Sequence, residues 1–166
     1  MKSFNSSEAP DLKSDIKNRT KGRVAIVAIG NILRGDDGLG PKFIELLKPK
    51  ALDAALFDCG TAPENYIFPI LSASPDTVIL VDAADVGEAP GSAKVFGLDE
   101  ISNVSFSTHN PSPRLFTDLL ITGKEDLNIF VISVQPKTTA LGASLTKEVL
   151  EGLDSLTGIF TEIFHK

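Results

Sequence analysis

Cysteine is nearly absent from this sequence, and basic side chains are fewer than acidic ones. The single cysteine, Cys59, excludes an internal disulfide framework and a CxxC metal or redox site, and it fits a reducing compartment. The chain has 16 basic and 22 acidic residues, a formal net charge of -6, and no basic stripe. This balance disfavours nucleic acid as a partner.

Long apolar runs are also absent. No stretch approaches the roughly 20 apolar residues that cross a bilayer, and the polar N-terminus has no signal-peptide core. We therefore predict a cytoplasmic protein without a membrane segment. At 166 residues the chain fits one domain. Residues 1–22 are mostly polar and predict a flexible N-terminal arm, followed by a single α/β domain at 23–166.

From residue 23 onward, apolar strand patterns alternate with helix patterns. The predicted strands are 24–29, 54–58, 77–82, 93–97 and 128–134, and the predicted helices are 41–47, 64–72, 112–120 and 144–164. This alternation predicts a three-layer α/β sandwich in which helices flank a five-stranded, mostly parallel sheet. The connection at 87–91 is too short for a crossover helix. The fourth strand is therefore expected to run antiparallel to the third, which makes the sheet mixed.

An acidic, glycine-rich turn follows the first predicted strand. The sequence at 30–40 is GNILRGDDGLG, and Pro41 then suits the first turn of a helix. A loop between a strand and a helix often binds phosphate through backbone N–H groups. Asp36 and Asp37 would repel phosphate but attract a cation. The loop therefore predicts a cation site.

Further polar residues follow other predicted strands. Asp58 ends the second strand, Asp82 ends the third, and His109 lies in the turn before the third helix. Ligands of such sheets collect at the carboxyl ends of the strands, so these side chains can converge. Two carboxylates and an imidazole suit a divalent transition metal. Each of these residues alone also fits a turn, a cap or a structural histidine. His165, near the C-terminus, is predicted to be solvated.

Two nucleophile hypotheses find little support in the sequence. No histidine or asparagine is spaced to activate Cys59, and a lone cysteine beside a strand is usually buried. Serines flank His109, but the G-x-S-x-G nucleophile elbow is missing.

Five segments resemble, in order, the motifs of the nickel-iron hydrogenase maturation endopeptidases. They are GNILRGDDGLGP at 30–41, DCGTAPEN at 58–65, VDAADVG at 81–87 with PG at 90–91, STHN at 107–110, and VQP at 134–136. The resemblance extends from about residue 23 to residue 164. The Asp-Asp-Gly and Ala-Pro-Glu-Asn segments resemble the branch that processes formate-hydrogenlyase-type hydrogenases.

The resemblance implies an endopeptidase that removes a C-terminal extension from the hydrogenase large-subunit precursor after nickel insertion. The metal belongs to the substrate, and the family positions that contact it correspond to Asp37, Asp82 and His109. Nickel then polarises the scissile carbonyl or activates water, or else Asp58 or Asp36 acts as the general base. The sequence leaves these routes open. We expect a monomer, because a small protease must admit a large folded partner.

Two other functions are compatible with parts of the pattern. A non-catalytic nickel chaperone could use the same three metal ligands and would bind nickel tightly without the precursor. A receiver-like phosphoacceptor module also has acidic residues after its first and third strands. Its acidic pair directly follows the strand, however, whereas six residues separate residue 29 from Asp36.

Overall fold

A six-stranded mixed sheet forms the centre of the computed structural model, which describes residues 11–103, 105–106 and 113–166. The strands are β1 (Val24–Ala28), β2 (Ala55–Asp58), β3 (Thr77–Asp85), β4 (Ala93–Gly97), β5 (Ser105–Phe106) and β6 (Asn128–Val134). The main path has the order β2-β1-β3-β6-β4. β1, β2, β3 and β6 are parallel, whereas β4 is antiparallel to β6. β5 pairs antiparallel with the end of β3.

Helices cover both faces of this sheet. They are α1 (Leu12–Arg19), α2 (Leu39–Leu47), α3 (Ile67–Ser72), α4 (Pro113–Gly123) and α5 (Lys147–Phe164). α1, α2 and α5 pack on one face, where Phe43 and Phe160 meet edge to face at 5.0 Å between ring centroids. α3 and α4 pack on the other face, with Ile70 and Leu120 fully buried.

The strand interiors are buried because helices cover both sheet faces. All five residues of β1 are buried, as are the first eight of β3. Apolar burial of this extent is the main favourable term in folding. It also explains the continuous apolar runs, since neither face of these strands meets water.

The predicted fold class is confirmed, and the boundaries of 93–97 and 128–134 are those of β4 and β6. β4 does run opposite to β3, as its short connection requires, but it lies beside β6. β5 was not predicted, because a strand of two residues is too short to show an alternation of apolar and polar side chains.

The predicted flexible arm at 1–22 is wrong for residues 12–19, which form α1. Asp11 caps this helix by accepting a hydrogen bond from the Ser14 N–H at 2.7 Å. Ile16 is fully buried against the α5 face of the sheet, and the Asn128 side chain donates to the Arg19 carbonyl at 2.6 Å. A mostly polar helix is thus held by one buried side chain and tertiary hydrogen bonds, which sequence periodicity does not reveal. No helix in the described part of the chain has the length and apolar character of a membrane span.

Candidate active site

The acidic turn lies at the carboxyl edge of the sheet, between β1 and α2. Residues Gly35–Gly38 form a single 3-10 turn. A Cβ atom at Gly30 would lie 2.1 Å from the Asp37 carbonyl oxygen, and one at Gly40 would lie 2.5 Å from the Ile29 carbonyl oxygen. Only glycine therefore lets the loop and the start of α2 approach the end of β1 this closely.

Asp36 is fully buried and connects the acidic turn to the segment at 137–146. Its carboxylate accepts hydrogen bonds from the backbone N–H groups of Lys137 (2.9 Å), Thr138 (3.2 Å) and Thr146 (2.7 Å). The Thr146 hydroxyl donates to both carboxylate oxygens, at 3.1 and 2.9 Å. These bonds give Asp36 a structural role, because both oxygens already face donors of the protein.

Asp37 and Asp82 are brought together by the fold, and both are fully buried. One Asp37 oxygen accepts a hydrogen bond from the Asn31 N–H at 3.2 Å. Asp82 Oδ1 accepts one from the Ala83 N–H at 2.7 Å, but Oδ2 has no hydrogen-bond partner among the described residues. Burial, and then the nearby charge of Asp37, hold the pKa of Asp82 well above its ordinary value of 3.8.

A buried carboxylate with a bare oxygen is costly unless a cation or a donor reaches it. The pair of Asp37 and Asp82 therefore forms an electrostatic site that favours a positive charge. In the part of the chain that the structure describes, no three histidine, cysteine, aspartate or glutamate side chains group as metal ligands. His109, the predicted third ligand, lies outside the described residues.

Asp58 ends β2, and its side chain is exposed. Its Oδ1 accepts a hydrogen bond from the Gly60 N–H at 3.1 Å. Side chains alternate between strand faces, and Leu56 packs against the α2 and α5 cluster, so Asp58 belongs to that face. Asp82 shares its strand face with Leu80 of the α3 and α4 cluster. The two predicted site residues therefore lie on opposite sheet faces, at the same edge.

Asp58 lines a groove of about 450 Å³ beside α2. We call it the α2 groove. Gly35 and Gly38 of the acidic turn line it, together with residues 143–145 and one face of α2. The groove thus begins beside the loop that carries Asp37.

Gln135 braces the turn after β3, a role that the sequence does not reveal. Its side-chain oxygen accepts hydrogen bonds from the Val86 N–H at 2.8 Å and the Glu88 N–H at 3.4 Å. Its backbone oxygen accepts one from the Gly91 N–H at 2.8 Å. The motif at 134–136 therefore holds the segment at 86–91, which follows β3, in place. Thr146, the partner of Asp36, was likewise missed, because no local pattern distinguishes it.

Cys59 is buried, and burial followed by the adjacent Asp58 charge raises the pKa of its thiol from 9.0 to about 12. Almost none of it is thiolate at neutral pH, and the thiolate is the reactive form. We expect native protein to resist iodoacetamide at neutral pH, with guanidinium-unfolded protein as the reactive control in mass spectrometry. Rapid labelling of the native thiol would contradict this prediction.

His165 is exposed at the C-terminal end of α5, as predicted. Its Nδ1 lies 2.9 Å from the Glu162 carbonyl oxygen. Lys137, in the segment that binds Asp36, forms an ion pair on the protein surface. Its ammonium lies 2.6 Å from Glu148 Oε1.

Comparison with known proteins identifies relatives of the chain. Residues 41–163 match the family model described as hydrogenase maturation protease. The hydrogenase 3 maturation protease of Escherichia coli K12 is 30% identical over 135 residues, covering 79% of this chain and 84% of that protein. The crystal structure of a nickel-iron hydrogenase maturation protease from Thermococcus kodakarensis superposes with a TM-score of 0.80 at 28% identity, covering 90% of this chain and 97% of that one. The solution structure of an endopeptidase from Escherichia coli gives a TM-score of 0.75 at 27% identity, over 87% and 96% of the two chains.

Proposed function

The chain belongs to the hydrogenase maturation protease family and is a peptide hydrolase, and we propose that its cleavage depends on nickel carried by the substrate. The substrate is a nickel-iron hydrogenase large-subunit precursor, from which the enzyme removes a C-terminal extension. Asp37, Asp82 and His109 contact the precursor's nickel. The enzyme itself holds no resident metal.

The observation that carries this proposal is Asp82 Oδ2, which accepts no hydrogen bond from any residue that the structure describes. It lies in a fully buried carboxylate beside a second buried carboxylate, Asp37, where charge repulsion and desolvation both act against ionisation. An arriving cation removes both penalties at once. The site is therefore prepared for a metal ion that another molecule brings.

Carboxylate oxygens and an imidazole nitrogen are suitable ligands for a divalent transition metal. Nickel bound to the precursor's cysteine thiolates would gain these groups as further ligands on docking. A precursor without nickel offers no such gain, so its complex is weaker. This difference makes processing a test of metal insertion.

Hydrolysis requires a water molecule to attack the scissile carbonyl carbon while a base accepts its proton. Asp58 is the better base of the two predicted ones, because its carboxylate is exposed and lines the α2 groove. The proton then passes to the leaving amine as the C–N bond breaks. Asp36 is assigned a positioning role, since its oxygens are occupied by backbone and threonine donors.

Two further properties belong to this proposal. The enzyme acts as a monomer, so that the site edge stays open to a folded partner. It works in the cytoplasm, where the precursor is assembled.

A nickel chaperone is the alternative function. A chaperone would retain nickel through purification, whereas the protease binds nickel weakly until the precursor adds its own ligands.

The test is to mix the purified protein with nickel-loaded and nickel-free precursor and to measure the precursor mass over time. We expect loss of a short C-terminal peptide from the nickel-loaded precursor alone. Asp37→Ala and His109→Ala are expected to abolish this loss, and the exposed Asp154→Ala on α5 is the matched control. Equal cleavage of both precursors would overturn nickel dependence.

A further inference from the structure

The α2 groove is long enough to hold a short extended peptide. Pro41, Ile44, Glu45 and Lys48 line it at helical spacing, so that one face of α2 and its extension forms a wall. Seven helical residues span about 10 Å. An extended peptide rises about 3.3 Å per residue, so the wall matches about three residues of an extended chain.

The two ends of the groove differ in charge. Asp58 lies at the carboxyl end of β2, on the edge that holds the acidic turn and the start of α2. Lys48 lies beyond the opposite end of α2 and is exposed. It takes part in none of the ion pairs between described residues, whereas Lys42 pairs with Glu45 at 3.0 Å. The distal end thus offers an unpaired ammonium to an anion.

Three exposed apolar side chains lie on the acidic turn and on the loop bonded to it, and one of them, Ile32, lines the groove. Ile32, Leu33 and Leu141 are 71%, 63% and 72% exposed. The Gly142 N–H donates to the Leu33 carbonyl at 2.8 Å, which joins the two loops that carry these side chains. Clustered exposed apolar side chains mark interaction surfaces more often than isolated ones do.

We propose that the α2 groove binds the C-terminal extension of the precursor in an extended conformation, with a carboxylate of the extension against Lys48. Apolar side chains of the extension pack on Ile32 and Leu145. This inference rests on the proposed function and specifies where the substrate peptide lies. The metal-bearing part of the precursor is a folded subunit and is too wide for the groove, whereas the extension is a short peptide. The groove also begins at the turn that carries Asp37, so a peptide in it continues from the metal site.

The first experiment measures binding without chemistry. A synthetic peptide of the extension, without nickel, is titrated into isotopically labelled protein, and backbone NMR shifts are followed. We expect the shifts to cluster at Ile32, α2 and residues 143–145. Shifts confined to the exposed Phe68 and Leu115 of α3 and α4, or no shifts at all, would overturn the proposal. The proposal would also be overturned if a second copy of the chain occupied the groove, which sedimentation would detect as concentration-dependent self-association.

The second experiment uses matched variants. Lys48→Glu is expected to raise the peptide Kd and the precursor KM roughly tenfold, the loss of about one charge contact, while kcat is kept. Lys50→Glu makes the same charge change at an exposed position outside the groove and is expected to have no effect. Ser144→Trp fills the groove and is expected to act like Lys48→Glu, with the exposed Ser155→Trp on α5 as its control.

The two proposals fail in different ways. If wild-type enzyme processes nickel-loaded precursor and both groove variants behave like their controls, the groove assignment is wrong and the nickel-dependent reaction stands. If peptide binds the groove but nickel does not affect processing, the groove assignment stands and nickel recognition is wrong.

Discussion

Asp82→Asn is expected to stabilise the protein and to abolish most of its processing activity. The amide has nearly the shape of the carboxylate but carries no charge, so it removes the desolvation penalty and the repulsion from Asp37. We expect a gain of about 1–2 kcal/mol in the free energy of unfolding, which raises the melting temperature by about 3–6 °C. The proposed function makes Asp82 a ligand of the substrate's nickel, so the loss of its charge is expected to slow processing about 10²–10³-fold.

The pH dependence provides a second readout. Because the folded-state pKa of Asp82 is raised, the native protein holds a proton that the unfolded chain has already released above pH 3.8. Its contribution therefore makes wild-type stability fall as pH rises from 3.8 toward the folded-state pKa. Asp82→Asn lacks this contribution, so the stability difference between variant and wild type is expected to grow over that range.

Asp85→Asn is the matched control for Asp82→Asn. It makes the same chemical change three residues further along β3, where the side chain is exposed and accepts a hydrogen bond from the Gly87 N–H. We expect it to resemble wild type in melting temperature and processing rate. If Asp82→Asn processes nickel-loaded precursor at the wild-type rate, Asp82 is not a ligand of the substrate metal. If Asp82→Asn lowers the melting temperature, the buried Asp82 carboxylate does not carry the expected desolvation penalty.

Asp36→Ala is expected to destabilise the protein by about 3–4 kcal/mol, because three backbone N–H groups and one hydroxyl lose the fully buried carboxylate that accepts their hydrogen bonds. The melting temperature should fall by about 6–15 °C. Calorimetry or circular dichroism measures this effect. The exposed Asp154→Ala on α5 serves as the control and should leave the melting temperature unchanged.

Asp36→Asn separates a positioning role from a catalytic one. The amide keeps one oxygen for the donors at 137–146 but cannot accept a proton as a base. A positioning residue predicts partial destabilisation with kcat reduced less than about tenfold at low temperature, whereas loss of a general base costs about 10²–10⁴-fold. Unchanged stability combined with loss of kcat on that larger scale would make Asp36 the base. Asp58→Asn is the parallel experiment at the exposed carboxylate.

Local sequence patterns were enough to predict the buried strands, the acidic turn and the family. The continuous apolar runs of β1, β3 and β6 predicted strands that helices cover on both faces, because burial on two faces requires apolar side chains at successive positions. The turn at 30–40 predicted a cation site from charge alone, and the ordered motifs predicted the family. These features are readable because each depends on neighbours along the chain.

Only the tertiary structure decided how the acidic residues differ. Asp36 and Asp37 are adjacent in sequence, yet Asp36 binds a segment about a hundred residues away and Asp37 lies beside Asp82. α1 likewise formed where composition predicted a flexible arm, because Ile16 found a buried site on the sheet. Partners distant along the chain set burial, hydrogen bonding and pKa, and no local pattern encodes them. The sequence by itself therefore determined which residues carry charge at the sheet edge. Folding decided that Asp36 holds two loops together and that Asp37 is buried beside Asp82.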